Sequence, residues 1–461
     1  MSSSNQVIFH GSKVILPDCD EPTEASIVVD TDKGTILSII EGPLNGINGN
    51  VEVIDAGDNV IIPGLVDAHV HLNETGRTDW EGFWTGTRAA LSGGVTTVVD
   101  MPLNSIPPTT TVENLTIKRD AARGQCWTDV GFWGGVIPGN ENHLVPLVEA
   151  GVRGFKCFMI ESGVEEFPCV TEQDLHKSMS ALEDQHSTVL AFHAELDTPE
   201  GPLPDVSSHD QTHYSTFLTS RPQHLEINAI SLITQLQIHF PSLRCHIVHL
   251  SAASALPIIR KAKAEGAKLT VETCFHYLCL SSDEIPDGKP EFKCCPPIRD
   301  HTNRELLWEA LKDGTIDFVV SDHSPCVADL KKLGEGDIMS AWGGISTLGL
   351  GLSLLWTESQ KNQKGVGLNQ IVKWTSTATS KHAGLDATKG AIKAGADADI
   401  VFWDSKAEFL VTRESLQFKN KLSPYQGFTL KGQVQQVYLG GKLAYNKDKG
   451  FAGFSPLGKL L

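Results

Sequence analysis

A (β/α)₈ TIM barrel with a small β-sandwich domain, assembled from the N- and C-terminal segments, is the fold that the sequence predicts. Three observations point there. The chain has 461 residues, enough for a barrel of about 250–330 residues and a smaller second domain. Short apolar runs recur through its middle, each followed by a longer amphipathic stretch. Both ends instead carry alternating segments punctuated by turns, and neither end has enough apolar residues to close a core alone.

At the N-terminus, Gln6 to Leu16 holds two short apolar runs around His10-Gly11-Ser12, a hairpin signal. Ala25 to Ile40 repeats the pattern with Asp32-Lys33-Gly34 as the turn. Near the other end, Ala398 to Asp404 and Val434 to Tyr445 read as strands, the second broken at Gly440-Gly441. Residues 1–60 and 393–461 are therefore assigned to one β-sandwich domain, and residues 61–392 to the barrel. Within the barrel the runs are Val60–His69, Thr96–Asp100, Asp129–Trp133, Gly154–Lys156, Val189–His193, His246–His249, Leu269–Glu272 and Asp317–Asp322. Parallel strands need helical crossovers, and a βα unit takes about 30 residues. Eight in series make a barrel.

Composition excludes some partners. Lysine and arginine total 38 against 56 acidic residues, a formal charge of −18. Nucleic acids and anionic membranes are bound mainly through Lys and Arg, so neither is expected as a partner. No apolar stretch approaches the roughly 20 residues of a membrane span, and Met1 to Gln6 is too polar to open a secretory signal. Ten cysteines are scattered with no Cys-x-x-Cys pair. That usage suggests reduced thiols in the cytoplasm, a peroxisome or another organelle staying open.

The polar residues able to bind metal close the apolar runs, the rim where barrels build active sites. His69 and His71 end the first, and side chains two apart on a strand share a face. With 17 histidines in the chain, such a pair equally suits two unremarkable imidazoles. His193, His249 and Asp322 end three further runs. Singly, each is more often a hydrogen-bonded core or capping residue. Together they offer imidazole and carboxylate, the ligands of catalytic zinc. His246 has odd spacing from His249, which predicts the opposite strand face; His323 and His276 are candidates to support the site from behind. Lys156 stands inside an apolar run, where a free ammonium is costly. It either snorkels to solvent, pairs with a carboxylate, or is carboxylated by CO₂ and bridges two cations.

Longer motifs carry a resemblance. Gly64 to Thr78, with His69-Val70-His71, resembles the opening metal motif of the cyclic amidohydrolases, and Asp79 to Phe83 continues it. Gly93 to Asn104, Gly154 to Phe158, Glu272 to Leu278, Lys293 to Arg299, Ser321 to Cys326 and Ala341 to Ile345 follow in order. Ala394 to Val401 resembles the closing strand. The resemblance implies two Zn²⁺ ions per subunit, bridged by carboxylated Lys156 and a hydroxide. His69, His71, Lys156 and Asp322 would hold one ion, and Lys156, His193 and His249 the other. It implies Asp322 as the proton-transferring residue, with Asn104, Cys295 and Gly343 binding a small cyclic ureide, and a homo-oligomer (tetramer or dimer). Two positions depart from the pattern. Thr75 replaces a proline, which would loosen its loop, and Cys295 replaces the serine of many bacterial relatives. A polar loop, Met159-Ile160-Glu161-Ser162-Gly163, and Asn104-Ser105 suit a ring bearing a polar arm. The same motifs leave open a hydantoinase or dihydropyrimidinase, a non-catalytic scaffold and a single-metal deaminase.

Overall fold

The computed structural model describes residues 6–17, 19–44, 51–198, 201–361 and 364–461. Met1 to Asn5, part of the segment read against a secretory signal, lie outside them. One sheet gathers both ends of the chain. Its strands are β1 (Gln6–Val14), β2 (Thr23–Asp30), β3 (Thr35–Glu41), β4 (Glu52–Asp55) and β5 (Val60–Pro63), joined by three strands from the far end. With the barrel strands numbered first, those three are β15 (Ile400–Leu410), β16 (Thr429–Leu439) and β17 (Lys442–Asn446). The order is β17-β16-β15-β5-β1-β2-β3, with β4 pairing β1. Side-chain alternation explains how this sheet serves two cores. Along β5 and β15, Ile61, Ile400 and Phe402 join Phe9, Ile27 and Tyr438 in the outer domain's own core. Their neighbours Val60, Ile62, Val401 and Trp403 pack into the barrel's core.

Two details differ from the sequence reading. Gln6–Val14 is one strand rather than a hairpin, and its register against β2 shifts between Gly11 and Val14. The break at His10-Gly11-Ser12 is therefore a bulge, where an unpaired residue bends the strand without reversing it. The first barrel run also splits. Val60–Pro63 pairs with β15 in the outer sheet, and the chain changes sheets at Gly64. A Cβ there would lie 2.0 Å from Thr96 Oγ1, so the crossing needs glycine. The other two turns are as read: Asp32-Lys33-Gly34 joins β2 to β3, and Gly440-Gly441, both at positive φ, joins β16 to β17.

The barrel strands are β6 (Leu65–Val70), β7 (Val95–Asp100), β8 (Asp129–Phe132), continued by the short β9 (Gly134–Gly135), β10 (Phe155–Phe158), β11 (Leu190–His193), β12 (Cys245–Ile247), β13 (Leu269–Cys274) and β14 (Phe318–Val320). Every ladder among them is parallel. The ring closes between its last and first strands, where Val70 bridges His323 and the His71 N–H donates to the His323 carbonyl at 2.8 Å. Each strand therefore delivers its C-terminal residue to one rim.

Candidate metal centre and substrate cavity

The six candidate ligands meet at that rim, five at or just past strand ends and Lys156 within β10. His69, His71, Lys156, His193, His249 and Asp322 are all buried and all line one cavity of about 290 Å³. Local backbone helps to aim them. His249 and Asp322, each two residues past a strand, adopt left-handed conformations at φ 39° and 42°. Such angles are uncommon without glycine and gather at functional sites. The turn defeats the spacing argument for His246. That ring does not turn away: its Nε2 lies 3.0 Å from Glu272 Oε2, and the other oxygen of Glu272 holds His69.

The rim divides into two clusters. In the first, the Nε2 atoms of His69 and His71 lie 3.2 and 3.3 Å from the same oxygen, Asp322 Oδ1. The ligating atoms of these three residues all fall within 4.8 Å of one another. In the second, His193 Nδ1 faces His249 Nε2 at 3.1 Å. Each cluster has a carboxylate behind it. Glu272 Oε1 is 2.5 Å from His69 Nδ1, and Glu195 Oε2 is 2.7 Å from His193 Nε2. Such partners fix ring orientation and raise ligand basicity.

Electrostatics follows from burial. Dry surroundings push His193 down to about 4, despite Glu195, and lower His71 and His249 as well. These three are neutral imidazoles, the form that donates a lone pair. His69 goes the other way: burial opposes its proton, but Asp322 and Glu272 hold its pKa up at about 9. Burial would raise Asp322, yet His69, His71 and His249 keep it ionised. Lys156 is lowered to about 8 by burial, and its Nζ has no hydrogen-bond partner among the described residues.

This donor set fits a pair of metal ions. Two imidazoles converge on one carboxylate oxygen and two more ring nitrogens stand face to face, while His249 Nδ1 and Lys156 Nζ have no hydrogen-bond partner among the described residues. The Lys156 amine stands on the same cavity wall, where a carbamate would supply an anionic oxygen donor for bound cations. Cys274, His276 and Asp322 also cluster, with neither His276 nitrogen partnered.

The three substrate-binding candidates line the same cavity. Asn104, at φ 66°, directs Nδ2 to within 3.4 Å of His71 Nδ1, while its Oδ1 is buried without a partner among the described residues. Cys295 and Gly343 touch across the pocket: a Cβ on Gly343 would lie 2.9 Å from Cys295 Sγ. A Cβ on Gly344 would meet the Ser324 carbonyl at 2.2 Å, so the backbone approaches here only because both positions are glycine. Thr75 does not loosen its loop. Its Oγ1 donates to the Ile106 carbonyl at 2.8 Å, and its own carbonyl accepts from the Ile106 N–H. His323 supports the ring closure: Nδ1 accepts from the N–H groups of Thr347 and Leu348, and Nε2 faces Glu81.

Sequence reasoning passed over Glu195, Glu272 and Arg221. Glu272 ends the seventh run as the metal-binding residues end theirs, so the same strand-end rule would have found it. Glu195 sits two residues after His193, the spacing that was noticed for His69 and His71. Arg221 caps a helix and carries no local signal.

The amidohydrolase family matches residues 60–444, and the chain belongs to that family. Curated relatives divide it more finely. An allantoinase from Saccharomyces cerevisiae is 49% identical over 460 residues, 97% of each chain. A mitochondrial allantoinase from Aquarana catesbeiana is 51% identical, covering 84% of this chain and 79% of its own. Among solved structures, an L-hydantoinase (dihydropyrimidinase) from Arthrobacter aurescens superposes with a TM-score of 0.91 at 26% identity, over 98% of this chain and 99% of its own. Within the amidohydrolases the chain therefore belongs with the allantoinases.

Proposed function

We propose that this chain is an allantoinase: it hydrolyses the hydantoin ring amide of allantoin to give allantoate. The observation that carries the reading is a cavity of about 290 Å³ lined by all six candidate ligands and by Asn104. Its curated relatives at 49% and 51% identity agree with it.

His69, His71 and Asp322 would hold one zinc ion, His193 and His249 a second, and carboxylated Lys156 would bridge them. Bound zinc supplies Lewis-acid polarisation of the ring carbonyl and hydroxide at neutral pH. Burial that lowers Lys156 to about 8 favours the free amine, the form that attacks CO₂. Hydrolysis bonds the oxygen of water to the ring carbonyl carbon, breaks the C–N bond and leaves a proton on the departing nitrogen. Asp322, ionised and opening onto the cavity, is placed to take that proton and deliver it. Asn104 and the close backbone at Gly343 and Cys295 would orient the ring, and Phe158, stacked on His193 at 4.5 Å, shields that imidazole.

Among the described residues no helix is long and apolar enough to cross a membrane. We place the enzyme in the cytoplasm or an organelle, as a tetramer or dimer, which light scattering tests. The decisive experiment compares allantoin, hydantoin and dihydrouracil side by side with product identification. The kcat/KM for allantoin should exceed the others by at least about 10²-fold, because a site built for hydrogen bonds rejects analogues lacking them. A better rate on dihydrouracil or a 5-alkyl hydantoin would move the enzyme to the hydantoinases.

A further inference from the structure

Behind His193 the supporting carboxylate is not held by the barrel interior. Glu195 is wholly buried, and its Oε2 accepts from both His193 Nε2 at 2.7 Å and Arg221 Nη1 at 2.5 Å. Arg221 itself lines the substrate cavity, beside Cys295. Its side chain is 23% exposed, and among the described residues its guanidinium makes one hydrogen bond. A guanidinium has five N–H donors in a rigid fork. One is spent on Glu195; the others are not buried orphans, because the cavity reaches them.

The mount is stiff. Arg221 ends the helix Tyr214–Ser220, where its N–H donates to the Leu218 carbonyl at 3.3 Å. Its own carbonyl accepts from Arg299 Nη1 at 3.3 Å, and Arg299 is fixed in turn by Glu226 at 2.9 Å. Neutralising Glu195 needs only a cation, and lysine would do that. A planar fork presents a second edge as well, suited to an oxygen acceptor.

We propose that Arg221 determines specificity: one edge of its guanidinium holds Glu195 behind His193, and the other donates to the carbonyl oxygen of the substrate's ureido arm. The assignment rests on the allantoinase reading and deepens it. It adds a charged donor to a cavity that Asn104 also lines, and a ureido carbonyl needs a donor.

The test uses metal-loaded enzyme and two substrates, allantoin and unsubstituted hydantoin, which differ by the arm alone. Arg221→Lys keeps a cation for Glu195, and Arg221→Gln keeps a donor without charge; metal content of each is measured alongside. The expected result in Arg221→Lys is unchanged metal and a ratio of kcat/KM for allantoin over hydantoin at least about tenfold below wild type, mostly through KM for allantoin. Loss of a hydrogen bond to a charged donor has that size. Equal loss for both substrates in a variant that keeps its metal overturns the proposal and leaves Arg221 as a support for Glu195. Should Arg221→Lys fail to fold, the same ratio in Arg221→Gln decides. A wild-type enzyme with no preference for allantoin is a separate result, and it removes both the function and this residue's role.

Discussion

The rim of the barrel and the junction between barrel and outer sheet both bury charge, and they do so in opposite ways. At the junction, Lys389 is 2% exposed and surrounded by Asp129, Asp397 and Asp399. Its Nζ lies 2.8 Å from Asp397 and 2.8 Å from Asp399, and it also bonds Asp129. The three aspartates alone would suit a cation, and the ammonium is that cation. At the rim, Lys156 is equally buried and makes no hydrogen bond among the described residues, while two imidazoles meet on Asp322 and two more face each other. The junction closes among its own side chains. The rim is complete only with something added, and that is what marks it as the working site.

The sharpest way to break this contrast is Lys156→Ala. The variant should lose bound metal and essentially all turnover, and added short-chain carboxylic acids should restore part of both by occupying the vacated anion position. Elemental analysis with a rate assay checks it; wild-type metal and rate would make Lys156 a structural residue. Asp322→Asn comes next. It keeps an oxygen facing His69 and His71 but removes the proton acceptor, so much of the metal should stay while kcat falls about 10²- to 10⁴-fold. Near-normal turnover would take Asp322 out of proton transfer.

The two carboxylates behind the imidazoles allow a finer test. Glu272 is shared by two histidines inside the barrel, whereas Glu195 is shared by one histidine and the cavity's Arg221. Glu272→Gln and Glu195→Gln should each weaken metal affinity about 10- to 100-fold. Only Glu195→Gln should also alter discrimination between allantoin and hydantoin, since only its partner reaches substrate. Chelator titration and paired kinetics separate the two; identical profiles would show that both carboxylates do no more than orient rings.

What was legible in the sequence follows from this division. A strand that runs through a barrel core is apolar, so a histidine or aspartate at its end stands out, and five of the six ligand candidates are legible that way; Lys156, the second residue of β10, is a candidate only through the family resemblance. Their motifs resemble those of the cyclic amidohydrolases. Glu195 follows His193 at the same two-residue spacing as His69 and His71, but its partner Arg221, at a helix end 26 residues on, meets it only through tertiary structure. His246 misled because the alternation rule holds only inside a strand, and the chain leaves β12 at Ile247 before turning back at His249. The apparent hairpin at His10-Gly11-Ser12 failed for a related reason: polar and glycine residues interrupt apolar runs in a bulge as they do in a turn.

The smallest effect on chemistry is expected at the junction, where the buried groups already partner one another. Burial alone would depress Lys389, but Asp399, Asp129 and Asp397 hold its pKa above the ordinary 10.5. A raised lysine stabilises the fold fully below its unfolded value and loses that contribution as pH climbs through the folded one. Lys389→Met strands buried Asp129 and Asp399, and breaking a buried pair from one side costs about 3–5 kcal/mol. The variant should therefore unfold at lower temperature or denaturant than wild type throughout neutral pH, with the gap narrowing above about pH 10.5. Its kcat/KM on allantoin, corrected for the folded fraction, should match wild type, because no atom of this cluster lines the cavity. Loss of turnover in the folded variant would mean that the outer sheet's grip on β8 helps to shape the rim, and the two charge clusters would then be one coupled system.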